Sequence, residues 1–288
     1  MKEEFCQKYF ENKVKPKHLR EFEAKTPQGN VIRGYICRKP NKYLGSMIIT
    51  HITEKSGRSY DTEQFVQSFP KIHYWDDRHK LKDDEESIVY YCQEKLDGTC
   101  LIIYSLNDDL GDSIEIVPKT RGQPVADDHI LDMFKLVDKK AIEDFFGENF
   151  HSNDVLMFEL YGILNKHEID YMDAYIDIRL IGAYVDETFL NYISMKCYSD
   201  LDGFQTPDSI FAIEKYPFEN SFSIMWCGRN HKLQNYKVVC QDSFPTLYDA
   251  VQQVKSLLKQ INDEYKKRNG RRVIEGVVIN GEHFKGGQ

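Results

Sequence analysis

The sequence predicts an α+β fold with antiparallel sheets, and three observations carry that expectation. Short β-branched and aromatic runs (Ser87–Gln93, Cys100–Leu106, Ile114–Val117, Val155–Leu160 and Ile176–Val185) are separated by polar segments. Helical periodicity is confined to two isolated stretches, so the regular strand–helix alternation of a parallel sheet is missing. Neither a phosphate-binding G-x-x-x-x-G-K-S/T nor a dinucleotide-binding G-x-G-x-x-G occurs.

Taken in order, residues 1–86 read as a β-rich N-terminal extension packing on the core. Its strand-like runs are Val31–Cys37 and Ser46–Ile52, and it ends in a charged surface linker, Asp76–Glu86. Residues 87–288 read as the main domain. Asn107–Gly111 supplies a turn between two of its strands. Asp127–Phe146 is expected to be one helix: Ile130, Phe134, Val137, Ala141 and Phe145 recur at threes and fours, Asp127 or Asp128 starts it, and Gly147 stops it. Thr246–Lys267 is the clearest helix. Thr246 can cap it, Leu247, Val251, Val254, Leu258, Ile261 and Tyr265 form its apolar stripe, and Asn269-Gly270 ends it. Arg272–Ile279 is read as a last strand that turns at Asn280-Gly281.

Composition narrows the function classes. No window approaches 18 uninterrupted apolar residues, and Met1-Lys2-Glu3-Glu4-Phe5 opens no signal peptide, so a membrane or secreted protein is not expected. Seven scattered cysteines without a C-x-x-C read as reduced thiols of a cytosolic or nuclear protein, with Cys92 and Cys100 facing each other across a hairpin. A net charge of −8 argues against a nonspecific nucleic-acid coat. Three local cation clusters stand against that background: Lys13, Lys15, Lys17, His18 and Arg20; Arg33, Arg38, Lys39 and Lys42; and Lys266, Lys267, Arg268, Arg271 and Arg272. Taken singly, each also reads as a solvated face. No heptad or cysteine pairing indicates an oligomer.

The residues that carry chemistry begin with Lys95-Leu96-Asp97-Gly98, read as a strand-to-strand turn. Asp97 can bond the turn backbone, and Gly98 supplies a positive φ or room for a ligand, which leaves Lys95 at a rim. Phe158-Glu159-Leu160-Tyr161-Gly162 and Glu275-Gly276-Val277-Val278-Ile279 follow, each placing a carboxylate on or beside an apolar run. A lysine nucleophile must be neutral when it attacks. Attack on a carbonyl gives a Schiff base, and attack on a nucleotide α-phosphate gives a phosphoramidate. Carboxylates suit the second, because phosphoryl transfer uses a divalent metal on oxygen ligands and groups that orient the ribose. The plainer alternative is a surface lysine in a hairpin, with Glu159 and Glu275 as edge charges.

This pattern resembles the covalent nucleotidyltransferase superfamily, which comprises ATP-dependent DNA and RNA ligases and GTP-dependent mRNA capping enzymes. Within it the chain is most similar to the phage-type RNA ligases of the RNA ligase 1 family. Phe69-Pro70-Lys71-Ile72-His73-Tyr74 resembles that family's P-x-x-K-F-F-N run. Lys119-Thr120-Arg121-Gly122 resembles its basic-x-basic-Gly segment, and Gly281-Glu282-His283-Phe284-Lys285 its G-x-H-F-K. Phe158-Glu159, Asn165, Ile169, Tyr171 and Tyr192-Ile193-Ser194 follow its F-E…N-R-I-V…Y…Y-I-S order.

The resemblance implies a ligase-like adenylation domain with antiparallel sheets. It makes Lys95 of the Lys95–Gly98 motif, with Asp97 and Gly98, the adenylylated nucleophile. Glu94 would offer backbone to the adenine, Glu159 would contact the ribose, and Tyr184 would pack on the base. Arg121 would meet the nucleotide or an RNA phosphate, Lys71 the ATP phosphates, and Lys285 the α-phosphate, while Glu275 would hold the metal. Arg58 and Arg38 both compete for the family's upstream arginine. Position 287 is glycine where the family carries a second lysine, which implies either a weakened adenylylation step or a chain that continues past Gln288. The implied cofactors are ATP and Mg2+ or Mn2+, and the implied partners are RNA 5′-phosphate and 3′-hydroxyl ends. A GTP-dependent capping enzyme, a DNA ligase and a degenerate nucleotide-binding module share parts of the pattern.

Overall fold

The computed structural model describes residues 1–70, 87–148, 153–165, 168–169, 171, 174–191, 195, 201, 203–216, 221–227 and 243–283. The charged segment 76–86, Lys71, Tyr192-Ile193-Ser194 and Lys285 lie outside them. The described residues form three sheets and four α-helices, and every strand pair with an assigned register is antiparallel. The fold is therefore α+β, as the sequence predicts.

Two compact units are interleaved along the chain: 1–72 with 99–160 and 176–205, and 73–98 with 161–175 and 206–288. In the first unit, β1 (Leu19–Lys25), β2 (Val31–Cys37), β3 (Met47–Thr53) and β4 (Ser59–Val66) make a meander. A second sheet has the order β10 (Thr188–Leu190), β9 (Asp177–Val185), β8 (Val155–Tyr161), β6 (Thr99–Asn107), β7 (Ser113–Lys119). The two sheets share one apolar core, in which Ile32, Ile49 and Ile52 meet Ile102, Tyr104, Val117 and Met157. Helix α1 (Lys2–Phe10), not expected from the sequence, lays Phe5, Cys6 and Phe10 against Ile48 and Phe65. Its apolar positions fall in two adjacent pairs within nine residues, too short a stretch for a repeating stripe.

The expected helix Asp127–Phe146 is two helices, α2 (Asp128–Phe134) and α3 (Lys140–Glu148). Asp127 caps the first by accepting from Ile130 N at 3.1 Å. The second restarts where Asp138 accepts from Lys140 N at 2.9 Å. Val137 is buried in the connection, not on a helix, and that burial sustained the apparent periodicity.

The second unit is built on a four-stranded sheet in the order β12 (Ser221–Trp226), β11 (Ser209–Tyr216), β5 (Ser87–Lys95), β13 (Gly276–His283). Helix α4 (Leu247–Asn269) covers it with Leu247, Ala250, Val251, Val254, Leu258 and Ile261. Thr246 caps it through Asp249 N, and Gly270 ends it at φ 73°. The last strand begins four residues later than expected and runs through Asn280 and Gly281, which pair with Tyr91 and Tyr90 instead of turning. The reason is Asn262. Its side chain accepts from Val273 N (3.1 Å) and Ile274 N (3.2 Å) and donates to Ile274 O (2.9 Å), which ties residues 273–274 to the helix.

Cys92 and Cys100 do not face each other across a hairpin, because β5 and β6 belong to different sheets. Cys92 lies opposite Phe211 and Ile279, and Cys100 opposite Glu159. The five described cysteines Cys6, Cys37, Cys92, Cys100 and Cys227 are free thiols. No described helix is long and apolar enough to cross a membrane.

Candidate active site

Lys95 is the last residue of β5, paired with Gly276, and not a turn residue. Its strand is central, fixed by β11 on one edge and β13 on the other. That puts the lysine at a stiff strand end with Glu275 just ahead of the neighbouring strand. The Lys95 Nζ forms an ion pair with Glu275 Oε1, both side chains about one-third exposed (30% and 31%). The Glu94 amide is engaged, donating to Asp208 O at 2.8 Å.

Beyond Lys95, Leu96 and Asp97 hold the residues Tyr161, Glu168, Ile169 and Tyr171. Leu96 is buried with Tyr161, Ile169 and Tyr171. Asp97 N donates to the Tyr171 hydroxyl at 2.6 Å, and Asp97 Oδ2 accepts from Glu168 N at 2.8 Å. The Glu168 carboxylate in turn takes Arg272 at 3.2 Å, and Ile169 bridges to Arg272. The bond from Asp97 therefore reaches a segment 71 residues away. Gly98 is not among the glycines at positive φ; the positive φ falls at Gly162 (132°), which ends the F-E-L-Y-G run.

In the first unit, alternation places Glu159, Met157 and Val155 of β8 beside Cys100, Ile102 and Tyr104 of β6. Cys100 is pushed up to about 12 by burial and, next, by the Glu159 carboxylate, against which Arg121 and Lys119 act. Glu159, Arg121 and Lys119 thus share the surroundings of one thiol. Lys119 is fully buried and donates to Gly45 O and Thr120 O, both at 3.0 Å; burial pulls it down to about 7, with the Arg121 and Arg38 charges adding to the shift and Cys100 opposing it. Arg121 donates to Phe69 O at 3.3 Å, but its buried Nε has no partner among the described residues. A buried guanidinium donor without an acceptor fits an anionic ligand. Gly45 (φ 86°) admits this segment, since a Cβ there would stand 2.1 Å from Arg121 O. Tyr184 is buried in the shared core against Phe189, ring centroids 5.1 Å apart.

Of the two arginines that competed upstream, Arg58 is ion-paired to Asp109 and to Glu54 at 3.6 Å, while Arg38 lies within the electrostatic reach of Lys119. The sequence reading passed over Tyr171, Glu168 and Cys100 as site groups. For Tyr171 the resemblance run was a usable signal. For Glu168, which works through its amide, there was none. Among the described residues no three His, Cys, Asp or Glu side chains cluster as a metal cage. Glu275 is a single carboxylate, a donor that suits Mg2+, which keeps water and takes substrate phosphates, and does not suit a closed zinc site.

Comparisons with solved structures recover this architecture. An archaeal ATP-dependent RNA ligase, seen in two forms, superposes with a TM-score of 0.53 and 17% identity over 92% of this chain and 56% of its own. The fold is that of the ATP-dependent nucleic-acid ligases. A provisionally named ATP-dependent DNA ligase from Aquifex aeolicus matches with a TM-score of 0.50 and 14% identity, over 96% of this chain and 58% of its own. The chain therefore spans little more than half the length of these ligases. No protein-family profile matches the chain, and no curated protein matches it in sequence.

Proposed function

We propose that the chain is the nucleotidyltransferase part of an ATP-dependent RNA ligase that joins a 5′-phosphate to a 3′-hydroxyl through a lysyl-AMP intermediate. One observation carries this reading: Lys95 of the K-x-D-G run is paired with Glu275 of the E-G-V-V run, at the ends of neighbouring strands in a ligase-like fold. In this reading the nucleotidyltransferase domain is 87–288, and 1–86 is the β-rich extension that packs on it. Reduced thiols fit a cytosolic or nuclear place.

The chemistry follows from the residues. An ammonium has no lone pair, so Lys95 must lose its proton before it attacks. The attack forms the Nζ–P bond to the α-phosphate of ATP and breaks the bond to pyrophosphate, which leaves in line. A divalent cation, when bound, supplies charge neutralisation on the phosphates, and Glu275 is the residue that would hold it. Glu159 orients the ribose and the unpartnered Arg121 Nε meets phosphate. Tyr184 packs on the base, Lys71 meets the ATP phosphates and Lys285 the α-phosphate. Asp97 and Gly98 fix the loop that follows the nucleophile. AMP then passes to the RNA 5′-phosphate, and the 3′-hydroxyl displaces it.

The Aquifex neighbour keeps a DNA-joining reading in view, so the test needs both nucleic acids. The protein is incubated with ATP labelled at the α-phosphate and Mg2+, beside Lys95→Ala and labelled GTP, and resolved on a denaturing gel. Acid-labile label from ATP on the wild type alone is expected, followed by its transfer to a 5′-phosphorylated RNA end and not to DNA. Label from GTP moves the chain to the capping branch. No label from either nucleotide leaves only a nucleotide-binding module.

A further inference from the structure

We propose that the cationic corner at the end of α4 docks the sugar–phosphate backbone of the strand whose end is joined, an inference that rests on the ligase reading above. Lys266, Lys267, Arg268 and Arg271 fall within six residues of a chain whose net charge is −8. All four are exposed, and no ion pair holds them among the described residues; only the next cation, Arg272, is paired, to Glu168.

Cations in the last turn of a helix are ordinary partners of its negative end. That accounts for Lys266, Lys267 and Arg268. It does not account for Arg271, which lies beyond the left-handed Gly270 where the helix has ended.

What gives the corner a function is how it is held. Asn262, two turns back in the helix, fastens Val273 and Ile274 by three hydrogen bonds, and the Ile169–Arg272 bridge fixes the other side. The loop is therefore pinned where it passes from the cations to Glu275, the partner of Lys95. Unpaired positive charge at the helix end and on the pinned loop after it, four to nine residues before the carboxylate of the proposed transfer site, is complementary to a phosphodiester strand. Because these contacts would be to backbone phosphates, the surface contributes affinity and placement and carries no base preference.

The test is direct binding, with no nucleotide present. Fluorescence anisotropy follows a 5′-phosphorylated, 3′-fluorescein-labelled single-stranded RNA of 24 nucleotides across a KCl series, for wild type and for Lys267→Ala/Arg268→Ala/Arg271→Ala. The expected result is an affinity lower by about tenfold or more at low salt and a shallower log–log salt slope, by about 2, from ~0.7 per lost phosphate contact. Lys135→Ala/Lys140→Ala, which removes two cations already paired to the nearby Asp132 and Asp144, is expected to keep the wild-type slope. An unchanged slope in the triple variant overturns the proposal, whether or not that variant loses binding to phosphatidylserine vesicles. An equal loss in the control pair overturns the assignment to this corner. Lysyl-AMP labelling of the triple variant, expected at the wild-type level, is read separately, so failure of the ligase reading shows as unlabelled wild type and not as a changed RNA isotherm.

Discussion

The Lys95 ammonium rests on the Glu275 carboxylate at the first register position shared by β5 and β13, where Lys95 pairs with Gly276. Two motifs 180 residues apart in sequence are thereby held by one strand pairing. The pairing, and not a flexible turn, sets where the lysine points.

Glu275→Gln keeps the shape of the side chain and removes its charge. Covalent labelling by ATP is expected to fall by about 100-fold or more, the scale on which loss of one electrostatic group acts. The residual labelling is expected to need higher Mg2+ or Mn2+ for saturation. Labelling at the wild-type rate and the wild-type metal dependence would remove Glu275 from the site.

Tyr171→Phe removes the hydroxyl that accepts from Asp97 N. Loss of one such bond from a partly buried amide costs about 1–2 kcal/mol, which lowers Tm by roughly 2–6 °C in a chain of this size. The labelling rate is expected to fall as well, because Asp97 follows Lys95, the proposed nucleophile, by two residues. A melting temperature and a rate both equal to wild type would mean that the bond is idle.

Lys119 gives a pH dependence whose sign is fixed. Burial holds it down to about 7 in the folded chain, whereas an unfolded lysine titrates near ~10.4. Between those values the unfolded chain keeps a proton that the folded chain has released, so stability rises with pH across the window and is lowest below it. The neutral amine still has two N–H groups for Gly45 O and Thr120 O. Urea unfolding from pH 6.5 to 9 is expected to show the rise in wild type and a flatter profile in Lys119→Met. A wild-type profile that falls over that interval would contradict the buried neutral amine.

Gly45→Ala meets two obstacles, a left-handed φ of 86° and a carbonyl oxygen, that of Arg121, 2.1 Å from the new Cβ. The expected cost is about 2–4 kcal/mol, measured by urea unfolding. Because the displaced segment carries Arg121, labelling should suffer beyond what the loss of folded protein explains. Wild-type stability would show that the 119–121 segment can move aside freely.

The legible parts of this chain were those governed by local pattern. Helix α4 showed in its sequence because Thr246, the apolar stripe and Gly270 are all short-range signals. The strands carrying Cys100, Glu159 and Lys119 showed because they are buried β-branched and aromatic runs. Long-range bonds did not show. The break between α2 and α3 depends on Asp138 restarting a helix while Val137 stays buried. The late start of β13 depends on Asn262 reaching forward to Val273 and Ile274. Lys95, Glu159 and Glu275 could be named through spacing and a family likeness, and Tyr171 stood in the same likeness without a role, but Glu168 serves through an amide that any spacing rule overlooks.

The sheet order β12-β11-β5-β13 has a consequence for synthesis. One edge of β5 takes its partner from residues 276–283, almost 190 positions later. On the ribosome, Lys95 emerges long before Glu275 exists, and during that interval β5 has an open backbone edge. Contacts this distant in sequence close slowly, and open edges invite wrong partners. The carboxylate partner of Lys95 thus arrives 180 residues after it, so a nascent chain that stops short of Glu275 would carry the lysine of the pair without its counterpart.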